Sequence, residues 1–390
     1  MTDNKLSSLP DDFNKFKKLR ILFLSNNHFT ELPTVLAQCS HLSMIGFRNN
    51  DIETVAENAL PLTTRWLILT DNAIETLPDS MGDLYLLQKC MLSGNRLTSL
   101  PETMYKCHNL ELLRIAVNHL EKLPIFLLDL PKLSWLAYGG NPFCAKHPNC
   151  DTPLSIVPWE RLKIQELLGE GASGLIYKAI YEGNEVALKV FKGDITSDGL
   201  PEEEMDINIS LGRHDHLVDV LARVTGHPEG KDVLMLELIP PHFYNLGLPP
   251  TLETCSRDVY PTGFSLTLEK TLKILQGVAD AAVYMHAHGI MHGDFYAHNI
   301  MIDDDANVIL GDFGGASYFE PTDVETRNAL ERLEIRAFGC LVEELLALSI
   351  EEESNVQLRE LLVTLKNDCL ILENAQRPLF TQVYQAFCHY

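Results

Sequence analysis

Hydrophobic residues recur with a fixed period over the first 143 residues of the chain. A leucine or valine opens each unit, and successive units are 22 or 23 residues apart. The units open at Leu9, Leu32, Val55, Leu77, Leu100 and Leu123. A period of this length is typical of repeats that stack side by side, because no single unit can bury its apolar face alone. The pattern predicts one short strand and one turn in each unit.

Within a unit the pattern is L-x-x-L-x-L-x-x-N-x-L. The first example is Leu19, Leu22, Leu24, Asn27 and Phe29. Alternate residues of a strand share a face, so the strand leucines are expected to point inward. The buried asparagine is expected to hydrogen-bond the backbone where the chain turns. This half resembles the leucine-rich repeat family over about residues 4–143, and the resemblance implies an α/β solenoid of about six repeats.

The residues between the inward leucines would face the concave side of such a solenoid. A merely solvated sheet would carry mostly polar residues there, whereas these are apolar and include two tryptophans. They predict a binding surface for a protein partner or for this chain's own other half. Scattered exposed hydrophobic residues are the alternative. The candidates are Phe23, Met44, Trp66, Ile68, Met91 and Trp135.

Residues 144–160 are rich in proline and cysteine and follow Gly139 and Gly140, which marks a domain boundary. The boundary separates an N-terminal domain, residues 1–143, from a C-terminal domain, residues 161–390. Three residues of the linker have the spacing of zinc ligands, but a fourth ligand is not evident nearby, and a cap on the repeats is the simpler interpretation. They are Cys144, His147 and Cys150.

A glycine-rich motif, G-x-G-x-x-G, opens the second domain at Gly169, Gly171 and Gly174. Dinucleotide-binding folds use the same motif but follow it with a helix. Here apolar, strand-like residues, 175–177, follow directly. The flanks therefore predict a strand–loop–strand hairpin over a nucleotide. A second strand, Val186 to Lys189, ends in a lysine placed to neutralise phosphates.

Three further polar residues follow in order. Asp294 and Asn299 lie in the sequence His-Gly-Asp-Phe-Tyr-Ala-His-Asn, and Asp312 begins Asp-Phe-Gly 18 residues after Asp294. With the two earlier motifs, the second half resembles the eukaryotic-type protein kinase family over about residues 160–390. The resemblance implies an α+β bilobal fold. It also implies transfer of a phosphoryl group from ATP, with Mg²⁺, to a protein hydroxyl, serine or threonine being the expected acceptor.

Each role follows from what phosphoryl transfer requires, which is mostly positioning and charge neutralisation. Lys189 would hold the α- and β-phosphates, paired with Glu204, although Glu203 adjoins it. Asp312 and Asn299 would bind Mg²⁺. Asp294 would orient and deprotonate the attacking hydroxyl. The resemblance implies an ATP site at Leu168, Gly169, Gly171, Gly174, Ile176, Ala187, Lys189, Glu204, Leu236, Glu237, Ile239 and Met301; the apolar members could equally be core.

The chain departs from the kinase pattern before the catalytic aspartate. Gly293 stands where the family has an arginine that pairs with a phosphorylated activation loop, so activity is expected not to require that phosphate. The acceptor signatures are also missing. Tyr296 replaces the lysine of serine/threonine kinases, and His298 replaces the arginine of tyrosine kinases.

The segment after Asp312 is short and lacks an Ala-Pro-Glu motif. The run from Glu334 to Gly339 resembles the entry of a family helix, with glutamate in place of aspartate. Arg377 therefore lacks its usual glutamate partner, and Glu320 or Glu325 is a possible substitute.

Two other functions stay open. His-Gly-Asp also occurs in aminoglycoside-type phosphotransferases, which act on small molecules. A nucleotide-binding pseudokinase scaffold is the third possibility, although it would have no need of Asp294. In the kinase interpretation, the repeats would recruit a protein substrate or regulator and raise its effective concentration.

The composition limits which kind of protein this is and which molecules it is expected to bind. The chain has 390 residues and a net charge of −23, of which residues 1–150 carry only −1. Such acidity disfavours nucleic acid and favours a basic substrate surface. No run is apolar enough to span a bilayer, and the N-terminus lacks an apolar signal core. The nine cysteines, an odd number in so long a chain, do not indicate a disulfide framework. We therefore expect a cytoplasmic protein.

Overall fold

The N-terminal part of the chain forms one parallel sheet of six three-residue strands. A computed structural model describes residues 1–144, 154–193, 195–196, 198–319, 323–350 and 355–388. Strand order follows chain order, and the strands are β1 (Ile21–Phe23), β2 (Met44–Gly46), β3 (Trp66–Ile68), β4 (Lys89–Met91), β5 (Leu112–Arg114) and β6 (Trp135–Ala137). The structure therefore has one strand for each predicted unit. Residues 1–144 are called the N-terminal unit below.

The middle residue of every strand is buried and pairs with the middle residue of the next, as Leu22 does with Ile45. Most units return through a 3₁₀ turn; four of these turns are Thr34–Gln38, Asp79–Asp83, Glu102–Lys106 and Ile125–Asp129. These short elements cannot bury their apolar sides alone, so the units form one continuous core by stacking.

The recurring asparagines hold the turns, as their spacing predicts. Asn118 Nδ2 donates to the carbonyl oxygens of Leu92, Ile115 and Ala116, and its Oδ1 accepts the Leu97 N–H at 3.0 Å. Such a side chain satisfies backbone groups that would otherwise be buried without partners. The equivalent residues are Asn27, Asn50, Asn72, Asn95 and Asn141.

Residues 154–388 form the C-terminal unit, which begins with a second six-stranded sheet. Its order is β7-β11-β12-β10-β9-β8, mostly antiparallel, and helix α1 (Pro201–Leu211) follows β10 in the chain. The strands are β7 (Ser155–Pro158), β8 (Lys163–Glu170), β9 (Gly174–Tyr181), β10 (Asn184–Phe191), β11 (Val220–Thr225) and β12 (Val233–Glu237).

The rest of the C-terminal unit is mainly helical. Its helices are α2 (Leu268–Ala287), α3 (Val324–Leu348), α4 (Val356–Cys369) and α5 (Phe380–Phe387). Its short strands are β13 (Tyr244–Asn245), β14 (Ile290–Met291), β15 (Ile300–Ile302), β16 (Val308–Leu310) and β17 (Ser317–Tyr318). The apolar faces of the helices and of β15–β16 share one core, separate from that of the second sheet.

Helix α3 begins ten residues before the helix entry that the sequence predicts at Glu334. Asp323 caps it, because its side-chain oxygen accepts the Thr326 N–H at 3.2 Å. Glu334 and Gly339 therefore lie in the middle of the helix rather than at its start.

The two units pack tightly against each other. Leu112 and Trp135 belong to the helical core, while residues of the C-terminal unit, among them Leu333, belong to the N-terminal core. Arg336 and Arg377 both donate to the Pro131 carbonyl, at 3.0 and 2.9 Å.

Among the described residues, the hydrogen bonds of the Arg377 guanidinium go to backbone carbonyls. Its guanidinium donates to Ile371, Arg332, Leu372 and Pro131 oxygens. Glu325, on the first turn of α3, forms no ion pair with Arg377 in the described part of the chain. Glu320 lies outside the described residues.

Within the described ranges, no helix is long and apolar enough to cross a membrane. The eight cysteines described there are all free. No group of three His, Cys, Asp or Glu side chains in this part of the chain could hold a metal ion. Of the three linker residues with zinc-like spacing, His147 and Cys150 fall outside the described residues.

Candidate functional site

The predicted ATP-site residues line one cleft of about 630 Å³ between the second sheet and the helical part. All of them contribute to its wall except Gly174. Asn299 and Asp312 line it from the opposite side. The apolar end is built partly by pairing of neighbouring strands, since Ala187 of β10 stands opposite Leu236 of β12.

The glycine-rich segment adopts the predicted strand–loop–strand form. It connects β8 to β9, and the Gly171 N–H donates to the Gly174 carbonyl at 2.9 Å. A Cβ at Gly174 would come within 2.8 Å of the Val190 carbonyl oxygen, so the neighbouring strand requires glycine there. A Cβ at Gly169 would meet nothing within 4 Å. That glycine leaves open space over the cleft, where a phosphate can approach the backbone.

Lys189 forms an ion pair with Glu204 of α1, while Glu203 has a different role. Glu204 is only 2% exposed, and its second oxygen has no hydrogen-bond partner among the described residues. Glu203 lies against the N-terminal unit and accepts a hydrogen bond from the Gly140 backbone; burial raises the pKa of this carboxyl. The structure thus pairs the lysine with the glutamate that the sequence favours.

Asn299 and Asp294 are joined by hydrogen bonds. Asn299 Nδ2 donates to Asp294 Oδ2 at 2.8 Å and to the Asp294 carbonyl at 3.0 Å. Because both bonds use the amide nitrogen, the amide oxygen remains for a cation. Asp312 has a left-handed backbone, with φ of 55°, and an exposed side chain. An amide and a carboxylate oxygen suit Mg²⁺, which commonly takes one or two protein ligands and completes its shell with phosphate and water.

Glu334 anchors the backbone that leads into Asp294. Its buried carboxylate accepts the N–H groups of His292 at 3.1 Å and Gly293 at 2.5 Å. His286 shares a third hydrogen bond with it at 2.7 Å. A glutamate in place of the family's aspartate therefore fixes the loop that carries Asp294 from the middle of α3.

An arginine of the N-terminal unit also reaches this loop, and sequence reasoning missed it. Arg114, the last residue of β5, is 2% exposed and forms an ion pair with Asp294. It also donates to the Gly293 carbonyl at 2.9 Å and pairs with Asp198 at 2.7 Å. The sequence offered one signal for it: the last position of a strand carries a charged residue in β5, Arg114, but an apolar residue in β1, Phe23.

Opposing effects act on Asp294. Burial is the largest single effect and raises the pKa of this carboxyl, and the Arg114 guanidinium is the strongest of several groups that together lower it further than burial raises it. The charges of His298 and His292 and the Asn299 hydrogen bond act in the same direction as Arg114. The pKa of Asp294 therefore lies below its ordinary value, and the carboxylate is ionised at neutral pH.

His298 lines the cleft and is held by Asp258. Its Nδ1 lies 2.8 Å from Asp258 Oδ1, and its N–H donates to Oδ2 at 3.0 Å. Burial by itself lowers the pKa of His298, but the hydrogen bond and charge of Asp258, with Asp294 and Asp312 nearby, raise it above its ordinary value. His298 is therefore protonated more readily than a free imidazole, beside the two aspartates.

The predicted concave surface is covered at its C-terminal end by the chain itself. Trp135 stacks on Tyr296, with ring centres 4.5 Å apart, and its Nε1 donates to the Phe295 carbonyl at 2.9 Å. Met91 packs against the same core. For these two residues the chain's other half occupies the surface, and an external partner would meet only the other end.

At that other end the candidates are less covered. Phe23, Trp66 and Ile68 are partly exposed, and the first two make an edge-on ring contact with centres 6.2 Å apart. Met44 is buried beside them. An accessible apolar patch therefore persists on β1 to β3.

Comparison with known proteins places the C-terminal unit in a family. The family model described as protein tyrosine and serine/threonine kinase matches residues 162–356, half of the chain. The mouse proto-oncogene serine/threonine-protein kinase mos is 30% identical over 163 residues, which are 40% of this chain and 47% of the mouse protein. The Xenopus laevis serine/threonine-protein kinase mos is 28% identical over 185 residues, 45% of this chain and 48% of the frog protein. The chain spans about half the length of these relatives.

Proposed function

Because the chain belongs to the protein tyrosine and serine/threonine kinase family, we propose that it transfers the γ-phosphoryl group of ATP to serine or threonine hydroxyls of a protein. The observation that carries the proposal is the meeting, in one cleft, of the Lys189–Glu204 pair with Asn299 and Asp312, beside Asp294. The relatives are serine/threonine kinases by name, which supports that acceptor class.

The residues divide the chemistry among them. Lys189, oriented by Glu204, neutralises nucleotide phosphates, and Gly169 lets them approach the backbone. Asn299 and Asp312 offer oxygen ligands for Mg²⁺, which when bound neutralises charge on the transferred group. Asp294, kept ionised, accepts and orients the proton of the attacking hydroxyl.

The apolar part of the cleft suits a nucleotide base. Leu168, Ile176, Ala187, Leu236 and Met301 supply apolar walls. The backbone after β12, at positions 237 and 239, borders the same space and offers hydrogen-bonding groups to the edge of a base.

For the N-terminal unit we propose a leucine-rich repeat solenoid that recruits a protein substrate or regulator. One strand per unit, the 22–23-residue period and the asparagine hydrogen bonds support the repeat assignment. The accessible patch of Phe23, Trp66 and Ile68 is the surface available for recruitment. A cytoplasmic location, proposed from the cysteine content, completes the assignment.

The test is transfer of label from γ-labelled ATP with Mg²⁺ to a generic basic protein by the purified full chain. Wild type should produce phosphoserine or phosphothreonine, and Asp294→Asn should lose at least about 100-fold in rate, because it removes the proton acceptor. Asp304→Asn, at an exposed carboxylate of the same unit, is the matched control and should keep the wild-type rate.

Two outcomes contradict the proposal. Consumption of ATP with an aminoglycoside or another small hydroxylated acceptor, but without protein labelling, would identify a small-molecule phosphotransferase. Absence of any transfer, with Mg-ATP still raising the melting temperature, would identify a nucleotide-binding scaffold.

A further inference from the structure

The loop that carries Asp294 contains no lysine or arginine of its own. Residues 292–299 read His-Gly-Asp-Phe-Tyr-Ala-His-Asn. Among the described residues, the arginine or lysine that pairs with the Asp294 carboxylate is Arg114, which comes from β5 of the N-terminal unit. A permanent charge at the proposed proton acceptor is thus supplied across the interface between the two units.

We propose that Arg114 is a positioning residue for Asp294, so that the N-terminal unit completes the catalytic loop of the kinase. The inference rests on the proposed function and adds to it, because it makes residues 1–144 part of the active site as well as a recruiting surface. Arg114 acts through Asp294 and is not required to touch ATP or the acceptor.

The contacts of Arg114 restrict Asp294 to one orientation. One terminal nitrogen of the guanidinium binds Asp294 Oδ1, and the other donates to the carbonyl of Gly293, directly before it in the chain. The second carboxylate oxygen, Oδ2, accepts from Asn299 at 2.8 Å. With both oxygens held, the side chain cannot change rotamer without breaking a charge-assisted hydrogen bond.

The same guanidinium links two sides of the cleft. Its Nε pairs with Asp198, which lies three residues before the start of α1. Helix α1 carries Glu204, the partner of Lys189. Arg114 therefore fixes the catalytic loop relative to the segment that leads into the helix of the Lys189–Glu204 pair.

The loop and the N-terminal sheet pack closely around the Arg114 contact. Gly293 has a φ of 72°, and a Cβ there would lie 2.8 Å from the Leu136 carbonyl oxygen of β6 and closer still to the Gly315 carbonyl oxygen. Trp135 stacks on Tyr296 beside it. The loop and the sheet edge approach at backbone distance, which only glycine permits.

An inhibitory contact that blocks Asp294 is the competing interpretation. A blocking arginine has to leave before catalysis, whereas Arg114 is buried at an interface where each unit contributes residues to the core of the other. Burying a guanidinium is costly unless it is paired, and here it forms ion pairs with Asp294 and Asp198 and a hydrogen bond to the Gly293 carbonyl. The geometry is that of a fixed support. The two interpretations predict opposite changes in rate.

The experiment compares full-length wild type with Arg114→Met, Arg114→Lys and Arg114→Ala. In Arg114→Met, kcat should fall about 10- to 100-fold, as expected when a catalytic group is misplaced by about 1 Å. KM for ATP should change little, because the nucleotide contacts are intact. Arg114→Lys should recover part of the rate. Arg96→Met, at an exposed arginine of the same unit, should match wild type.

Chemical rescue separates positioning from a merely structural role. Guanidinium ion, added below denaturing concentrations, should restore part of kcat in Arg114→Ala. It should leave the rates of wild type and Arg96→Met unchanged. The shift in melting temperature on adding Mg-ATP reports whether each variant retains a folded cleft.

Each result has one meaning. An inactive wild type refutes the proposed function itself, whatever Arg114 does. An active wild type with Arg114→Met equally active overturns the positioning role, and a more active Arg114→Met shows an inhibitory contact. A folded Arg114→Ala that guanidinium does not rescue, together with an inactive Arg114→Lys, also overturns it.

Discussion

The two ends of the N-terminal sheet present the same repeat position to different surroundings. The first residue of β1, Ile21, is 38% exposed, whereas the first residue of β6, Trp135, is 2% exposed. Both strands have the same length, the same parallel pairing and a buried middle residue. The position in the repeat therefore determines which way a side chain points, and the C-terminal unit determines whether that side chain is covered.

The last strand position shows the same contrast in chemical terms. Phe23 at the end of β1 contacts Trp66 at the accessible end of the surface. Arg114 at the end of β5 is surrounded by Gly293, Asp294 and Asp198. One end of a uniform scaffold is thus available to other molecules, and the other end is integrated into a proposed active site.

The largest expected effect tests this contrast with two tryptophans at one repeat position. Trp135→Ala should lower the free energy of unfolding by about 3–5 kcal/mol, because it removes a buried aromatic side chain. Trp66→Ala should cost about 1–2 kcal/mol, since that ring is only partly buried. Urea unfolding followed by circular dichroism measures both changes.

The comparison fails if the two tryptophan variants are equally destabilised. Ile21→Ala provides a reference for truncation at the exposed end of the same position. An unchanged slope of free energy against urea shows that the variants alter stability rather than the extent of unfolding.

A smaller effect is expected from two glycines that lie at different ends of the sheet. Gly293→Ala should cost about 2–4 kcal/mol, because a left-handed φ and two backbone carbonyls oppose the new methyl group. Gly46→Ala should cost about 1 kcal/mol or less, since its methyl group meets the partly exposed Phe23 side chain rather than backbone atoms. Thermal and urea unfolding report the difference. Equal costs would mean that the units do not approach closely at Gly293.

The smallest effect concerns the asparagines. Asn118→Ala should cost about 1–3 kcal/mol, because it leaves buried backbone groups without partners. Asn27→Ala should cost less, since its Oδ1 accepts from Leu6 and its Nδ2 donates to Met1 in an exposed segment where water can replace it. Hydrogen exchange at Leu97 and Leu6 N–H follows the two losses locally. A larger rise in exchange at Leu6 in Asn27→Ala than at Leu97 in Asn118→Ala would contradict this order.

Much of the local structure could be predicted from sequence because it depends on short-range order. A strict period places one strand in each unit, and asparagine is required where the backbone turns. The glycine-rich hairpin followed from the apolar residues directly after Gly174. Lys189, Asn299 and Asp312 could be nominated because phosphoryl transfer limits both residue type and order.

The helix boundary at Val324 and the partners of Arg377 could not be predicted in the same way. The start of α3 depends on a cap at Asp323, which resembles many other aspartates in the sequence. The Arg377 guanidinium donates to carbonyl oxygens. Every residue has a backbone carbonyl, so these acceptors cannot be recognised from the residue types.

The sequence by itself determined the repeat, the glycine-rich hairpin and the order of the charged groups, because each rests on spacing along the chain. Only the tertiary structure decided that Arg114 meets Asp294, that Trp135 meets Tyr296 and that Gly293 admits the edge of β6. These contacts join residues more than 150 positions apart. Their specificity comes from complementary shape and charge between two packed surfaces, and no period or motif in either half encodes the other half's position.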